Sequence, residues 1–209
     1  MFVRNDTSVA VLTFITLGAT SGCVNDVANI TLSSGKITKL HNLMGTFVVP
    51  GNTSMELVAP KGDGFNGNIS FNTPPMNCPT PKFPDGVNLA EFIINNGFQQ
   101  YGQETVDNSC VAGANAFIEF EMSALDWTSN GGSILRVTKI TNGKKLDNTG
   151  RIGVFPYGCD NCTSSDNPPS CVGQQSQYAN KIPICNVQRP AGSNKGGTVT
   201  IAFKGFTYY

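Results

Sequence analysis

The sequence predicts an all-β fold, an antiparallel β-sandwich built as one domain over residues 1–209. Three observations predict it. Short apolar runs rich in Val, Ile, Thr and Phe recur along the chain, several alternating with polar residues as a half-buried strand requires. Turn formers separate them: the chain holds 23 Gly and 12 Pro, with many Asn, Ser and Thr between. No stretch carries the apolar period of an amphipathic helix, no heptad is sustained, and no repeat of fixed period occurs. Many short strands with turns at close spacing are the mark of a sandwich, and 209 residues suit one such unit.

The elements follow in order. Residues 2–4 and 9–17 are expected to form a first pair of strands around Asn5-Asp6-Thr7-Ser8. Residues 27–32 form a strand leading to a Ser33-Ser34-Gly35 turn. Residues 45–49 end at Pro50-Gly51, and 54–59 follow. Lys61-Gly62-Asp63-Gly64 is a loop before a short strand at 68–71. Segment 73–85 contains Pro74, Pro75, Pro79, Pro81 and Pro84, which remove backbone donors and forbid regular pairing, so it is an irregular loop. Residues 88–94 alternate as a strand, and 114–122 form another carrying Phe117 and Phe120. Residues 133–140 are expected to pair with 144–147 across Thr141-Asn142-Gly143, because Asn-Gly accepts the positive φ angles of a tight hairpin. The span of about 148–195 is loop-rich, with a cysteine-rich part at 158–185, and residues 198–203 close the chain as a strand.

Composition bounds the function. Charged residues make up 13% and the formal net charge is zero, so the chain lacks the electrostatic footprint of a nucleic-acid binder. Residues 9–17, with Arg4 before them and small residues 19–22 after, have the outline of a signal-peptide core. Asp6 in the flanking segment, and Thr13 and Thr16 among β-branched neighbours, make a buried strand the better reading. The run is far too short to span a membrane as a helix. No signal peptide is therefore expected within these residues. Five sequons, at Asn5, Asn29, Asn52, Asn68 and Asn161, suit a secreted, glycosylated surface.

Seven cysteines stand at Cys23, Cys78, Cys110, Cys159, Cys162, Cys171 and Cys185, so at least one lacks a partner within the chain. Cys159-Asp160-Asn161-Cys162 begins like a zinc site, but Cys171 and Cys185 supply no second close pair, and disulfides are the expected state. His41 is the single histidine, which leaves His-dependent triads and multi-histidine metal sites unsupported. Gly62-Asp63-Gly64 and Gly131-Gly132 read as turns, since no helix follows to make a phosphate cradle. No metal and no cofactor is expected.

Leu89-Ala90-Glu91-Phe92, followed by Asp107-Asn108-Ser109-Cys110-Val111-Ala112-Gly113-Ala114-Asn115, resembles the run L-A-E-F … D-x-S-x-V-x-G-x-N of the thaumatin-like proteins. Residues 2–8 are similar to that family's first strand, F-x-x-x-N-x-C, and Gly67-Asn68-Ile69-Ser70-Phe71-Asn72-Thr73 to its G-R-I-W-A-R-T. Residues 198–203 are similar to its closing strand, and Cys162-Thr163 with Cys171 to part of its disulfide-rich loop. The resemblance implies a thaumatin-like sandwich with a small disulfide-rich region and a Cys162–Cys171 bridge; Cys159 and Cys185 are a second expected pair. The family usually joins its first strand to its last by a disulfide, whereas here Thr7 and Lys204 stand at those two positions. Both partners are absent together, as when a bridge is lost whole.

The family's functional feature is an acidic cleft that binds β-glucan and in some members cleaves it slowly. Glu91 matches its glutamate and Asp107 the aspartate of D-x-S; Ala112 stands where many members have a second aspartate, and Asn72 where they have an arginine. Hydrolysis of a glycosidic bond needs two facing carboxyl groups, and Glu91 with Asp107 is the candidate catalytic pair. Binding asks less: Glu91, Asp107, Asn72 and Tyr101 are the candidate carbohydrate contacts, with Trp127, Tyr157 and Gln99 as further groups of suitable kind. Trp127 fits core packing equally well. The expected function is secreted carbohydrate binding, to a β-glucan of a cell wall, in defence or wall association. Two alternatives stand beside it. One is a weak endo-β-1,3-glucanase. The other is a structural or surface-coat protein that self-assembles through its sandwich, helped by low charge and the aromatic tail Phe206-Thr207-Tyr208-Tyr209.

Overall fold

The structure is a computed structural model that describes residues 1–72, 86–95, 103–113, 115–123, 128–129, 132–133, 136–137, 186–190 and 196–206. These form an all-β sandwich of two sheets, in which every strand pair but one is antiparallel. The six-stranded sheet runs β13 (Arg136–Val137), β10 (Ala116–Met122), β15 (Val199–Phe206), β1 (Phe2–Asn5), β6 (Thr53–Val58), β3 (Thr31–Leu32). The nine-stranded sheet runs β12 (Gly132–Ser133), β11 (Thr128–Ser129), β14 (Asn186–Pro190), β9 (Gln103–Gly113), β8 (Gly86–Ile94), β7 (Phe65–Phe71), β2 (Val11–Leu17), β5 (Met44–Val49), β4 (Thr38–His41).

The alternation read from the sequence builds the core. From the nine-stranded sheet come Val11, Ile15 and Leu17, Phe47 and Val49, Phe65, Ile69 and Phe71, and Ala90, Phe92 and Ile94. Val3, Met55, Leu57, Ile118, Phe120, Met122, Ile201 and Phe203 meet them from the six-stranded sheet. Phe71 and Phe203 touch across the layers with ring centroids 4.8 Å apart. Fully burying one such side chain stabilises the fold by roughly 1.5–3 kcal/mol, so this interior outweighs any surface contact described below.

Phe2–Asn5 and Val11–Leu17 do not form the expected hairpin. β1 lies between β15, which it pairs in parallel, and β6, while β2 belongs to the other sheet. Asn5 explains the crossing. Its side chain is fully buried; Nδ2 donates to the carbonyls of Val9 (2.8 Å) and Val49 (3.0 Å), and Oδ1 accepts from the Thr7 amide (3.0 Å) and hydroxyl (2.7 Å). These bonds satisfy a chain that passes from one layer to the other. The sequon residues Asn29 and Asn52 are exposed, while Asn161 lies outside the described residues.

Other departures are local. The strand expected at 27–32 is a 3-10 turn, Val27–Asn29, followed by the two-residue β3. Asp26 caps that turn by accepting from the Ala28 amide at 2.9 Å. The Thr38–His41 strand was not expected; the segments near Glu91 and Asp107, expected to be neighbouring strands, are β8 and β9. β4 is an edge strand with all four residues exposed, and its Lys39 and the irregularity between Lys39 and His41 blunt that edge against pairing. Of the hairpin expected at 133–147, the described part is β13 and Ser133 in β12. Of the loop-rich span at 148–195, the described part, β14, is a strand. The expected bridges, Cys162–Cys171 and Cys159–Cys185, lie outside the described residues. Cys23 is a buried free thiol, whose pKa burial raises, with the charge of Asp63 adding to the effect. Among the described residues no helix is long and apolar enough to cross a membrane.

Candidate functional site

Four neighbouring strands of the nine-stranded sheet build the candidate site. The registers pair Thr16 with Asn68, Asn68 with Glu91, and Glu91 with Asp107. Ile15, Ile69, Ala90 and Val106, adjacent in sequence to these residues, point into the core. Since successive side chains alternate faces, Thr16, Asn68, Glu91 and Asp107 form one transverse row on the opposite face. The row lines a groove of about 540 Å³ together with Leu17, Gly18, Asn66, Gly67, Phe92, Ile93 and Thr105.

Gly67 makes the close approach possible. A Cβ at this position would sit 2.0 Å from the Thr16 carbonyl oxygen, so no larger residue fits between β7 and β2 without moving one of them. Beside it, Asn66 donates to the Thr20 hydroxyl and its carbonyl accepts from the Gly18 amide at 2.8 Å, closing one end of the groove.

The electrostatics of the row are one-sided. Among the described residues, no Lys, Arg or His lines the groove. Asp107 is only 8% exposed, and its Oδ1, the Asn68 Oδ1 and the Thr16 hydroxyl are buried without a hydrogen-bond partner among the described residues. Burial pushes the Glu91 carboxyl up to about 7. Burial, followed by the charge of Glu91, raises Asp107 well above the usual carboxylate range. Two carboxyls directly opposite on neighbouring strands have Cβ atoms about 4.5–5.5 Å apart. At that distance one ionised group opposes ionisation of the other.

The structure thus brings Glu91 and Asp107 together. Asn72, four residues beyond Asn68, lies about 13 Å further along the strand at 3.4 Å per residue and does not line the groove. It takes a positive φ of 57° at the end of β7 and donates its amide to the Leu12 carbonyl at 2.7 Å. Tyr101, Trp127, Tyr157 and Gln99 lie outside the described residues. Sequence reasoning missed Asn68 and Thr16 as site residues. The signal for Asn68 was present: Asn66, Asn68 and Ser70 alternate with Gly67, Ile69 and Phe71, which puts the polar set on one face. His41 is exposed and accepts from the Leu43 amide through Nδ1 at 3.2 Å; its register partner Met44 also pairs with Thr16, which puts it two strands beyond the end of the row.

Among the described residues no three of His, Cys, Asp and Glu converge as a metal cluster. A second cavity of about 410 Å³ lies by the Met1 amino terminus, Glu56, Asp63 and Arg189. Its chief polar feature is the buried Arg189–Glu104 ion pair. Glu104 also accepts from the Asn95 amide, and Arg189 Nη1 donates to the Gly196 carbonyl at 2.6 Å, so this pair ties β9 and β14 to two loops.

No protein-family model matches the chain, and no curated protein matches it. Among solved structures it is similar to a thaumatin-like xylanase inhibitor, at 12% identity, over 97% of each chain and with a TM-score of 0.44.

Proposed function

We propose that the groove over β2, β7, β8 and β9 binds carbohydrate, a β-glucan of a cell wall, and that the protein serves outside the cell in defence or wall association. The observation that carries this reading is the transverse row Thr16–Asn68–Glu91–Asp107, which offers a hydroxyl, an amide and two carboxyls along one open groove. Sugar hydroxyls both donate and accept. Buried acceptors left unpaired, at about 1–3 kcal/mol each, favour a ligand that brings donors. The groove's volume lies in the range of small-ligand sites, roughly 300–1,000 Å³. The test is retention of folded protein on insoluble β-1,3-glucan. Binding that drops at least tenfold in Asp107→Asn supports the reading, and no retention of the unsubstituted protein overturns it.

The facing carboxyls favour one second reading, slow endo-β-1,3-glucan hydrolysis. A retaining mechanism uses two carboxyls about 5–5.5 Å apart, one protonated and one ionised. Glu91, with its pKa near neutrality, is then the acid–base group. Asp107 would be the ionised partner, a role its own raised pKa opposes; for this reason binding ranks first. Reducing ends released from laminarin, and lost in Glu91→Gln, would establish catalysis. Release that persists in that variant excludes this pair.

A further inference from the structure

We propose that the groove holds a hard divalent cation of the calcium class, ligated by the carboxylates of Glu91 and Asp107 and the side-chain oxygen of Asn68. The inference shares its groove with the carbohydrate reading but stands on the groove's own oxygen atoms.

The argument starts from an imbalance. Glu91 and Asp107 bring two carboxyls, and among the described residues the groove lining supplies no cationic side chain to answer them. Asp107, more than nine-tenths buried, brings to this site an Oδ1 without a partner among the described residues, and so does Asn68 with its Oδ1 on the other side of Glu91. Both atoms are acceptors only. A buried acceptor needs a donor or a positive charge, and one cation answers several at once.

Geometry selects the ligands. Neighbouring strands lie about 4.8 Å apart, so Asn68 and Asp107 flank Glu91 one strand away on either side. An ion above Glu91, bound at about 2.4 Å from each oxygen, is within reach of all three. Thr16 stands two strands from Glu91, beyond that reach, and suits a hydroxyl that holds an ion-bound water. Chemistry selects the ion. The set is oxygen only, without His or Cys, which suits calcium or magnesium rather than zinc or copper. Three ligands on a flat sheet leave an open, irregular shell. Calcium accepts such a shell with six to eight oxygens, whereas magnesium demands a near-ideal octahedron. The open positions face the groove, where water or adjacent hydroxyls of a saccharide complete the shell.

The experiment titrates CaCl2 into the chelator-treated full chain, without any glycan, and follows heat and melting temperature. The expected result is one ion per chain with a dissociation constant of about 10⁻⁴–10⁻³ M, the range of extracellular calcium modules, and a melting temperature that rises with calcium. Asp107→Asn and Glu91→Gln should each weaken binding at least tenfold and Asn68→Ser severalfold, while Glu56→Gln, in the other cavity, should bind as the parent does. Circular dichroism in chelator confirms that each variant is folded. The unsubstituted chain by itself decides whether an ion binds. The absence of both heat and a melting shift at about 10 mM calcium overturns the proposal, as does binding that none of the three groove substitutions weakens. Because the titration contains no glycan, its failure leaves the carbohydrate reading standing. Loss of glucan retention alone leaves the cation site standing.

Discussion

Lys204 Nζ lies 2.8 Å from Asp6 Oδ2, tying the last strand of the sandwich to the end of the first. Arg4 holds the same carboxylate at 2.7 Å and Glu121 at 2.9 Å, and Lys204 reaches Glu119 at 3.1 Å, so five charges form one surface lattice over β1, β10 and β15.

Asp6→Asn should cost about 0.5–1 kcal/mol at neutral pH, since the pairs are partly exposed and screened. Burial works to raise the Asp6 pKa, but bonds from Arg4 and Lys204 more than offset it, and the net shift is downward. A depressed folded value means that Asp6 contributes stability above its ordinary 3.8, and that this contribution fades as pH falls through the lower folded value. Urea melts of parent and variant at pH 7 and in acid should therefore show a gap that closes in acid and shrinks in high salt.

Glu91 behaves in the opposite way. In chelated buffer its pKa of about 7 exceeds the ordinary 4.5, so the folded protein binds the extra proton and loses stability as pH rises through that window. The shift corresponds to about 3 kcal/mol at the alkaline end, and Asp107 acts in the same direction. Glu91→Gln should be more stable than the parent at about pH 8 and close to it near pH 4, measured as denaturation midpoints across pH. A parent equally stable at both ends would contradict the burial of this pair.

The Arg189–Glu104 pair is buried on both sides, with side chains 9% and 2% exposed. Replacing Glu104 by Gln removes a buried carboxylate from the Arg189 guanidinium and should cost about 3–5 kcal/mol. Hydrogen exchange should then accelerate at the amides of Asn95, β14 and Gly196 before the six-stranded sheet is affected, because the pair secures those segments.

Gly67→Ala should cost about 1–3 kcal/mol by forcing β7 away from the Thr16 carbonyl. The displacement would open the row at its Thr16–Asn68 step, so ligand affinity should fall with stability. Gly62→Ala offers a contrast: it is strained by its φ of 95° but meets no neighbouring atom, so it should lower stability and leave the groove alone.

Where apolar alternation was strong, the fold could be read from the sequence. Of the runs 9–17, 45–49, 88–94 and 198–203, the parts 11–17, 45–49, 88–94 and 199–203 fall within strands of the structure. Gln103–Gly113 was reached only through the motif around Asp107, because its own run mixes few apolar residues with Asn, Asp, Glu and Gln. It is a strand because β8 and β14 pair with it on both sides, a tertiary effect that local propensity does not carry. Glu91 and Asp107 were singled out through motif resemblance, yet their opposition depends on the β8–β9 register, which sequence spacing alone does not fix. Asn68 and Thr16 were passed over for the same reason: each belongs to the row only through strand order.

The parallel pairing of Phe2–Asn5 with Thr200–Phe203 has a kinetic meaning. β1 shares its ladder with a strand synthesised almost two hundred residues later. Until that segment emerges, β1 and β10 each present a bare, hydrogen-bonding flank. Such a nascent chain should mature slowly and depend on holding chaperones, and a version halted before residue 199 should aggregate through those flanks rather than persist as a half-built sandwich.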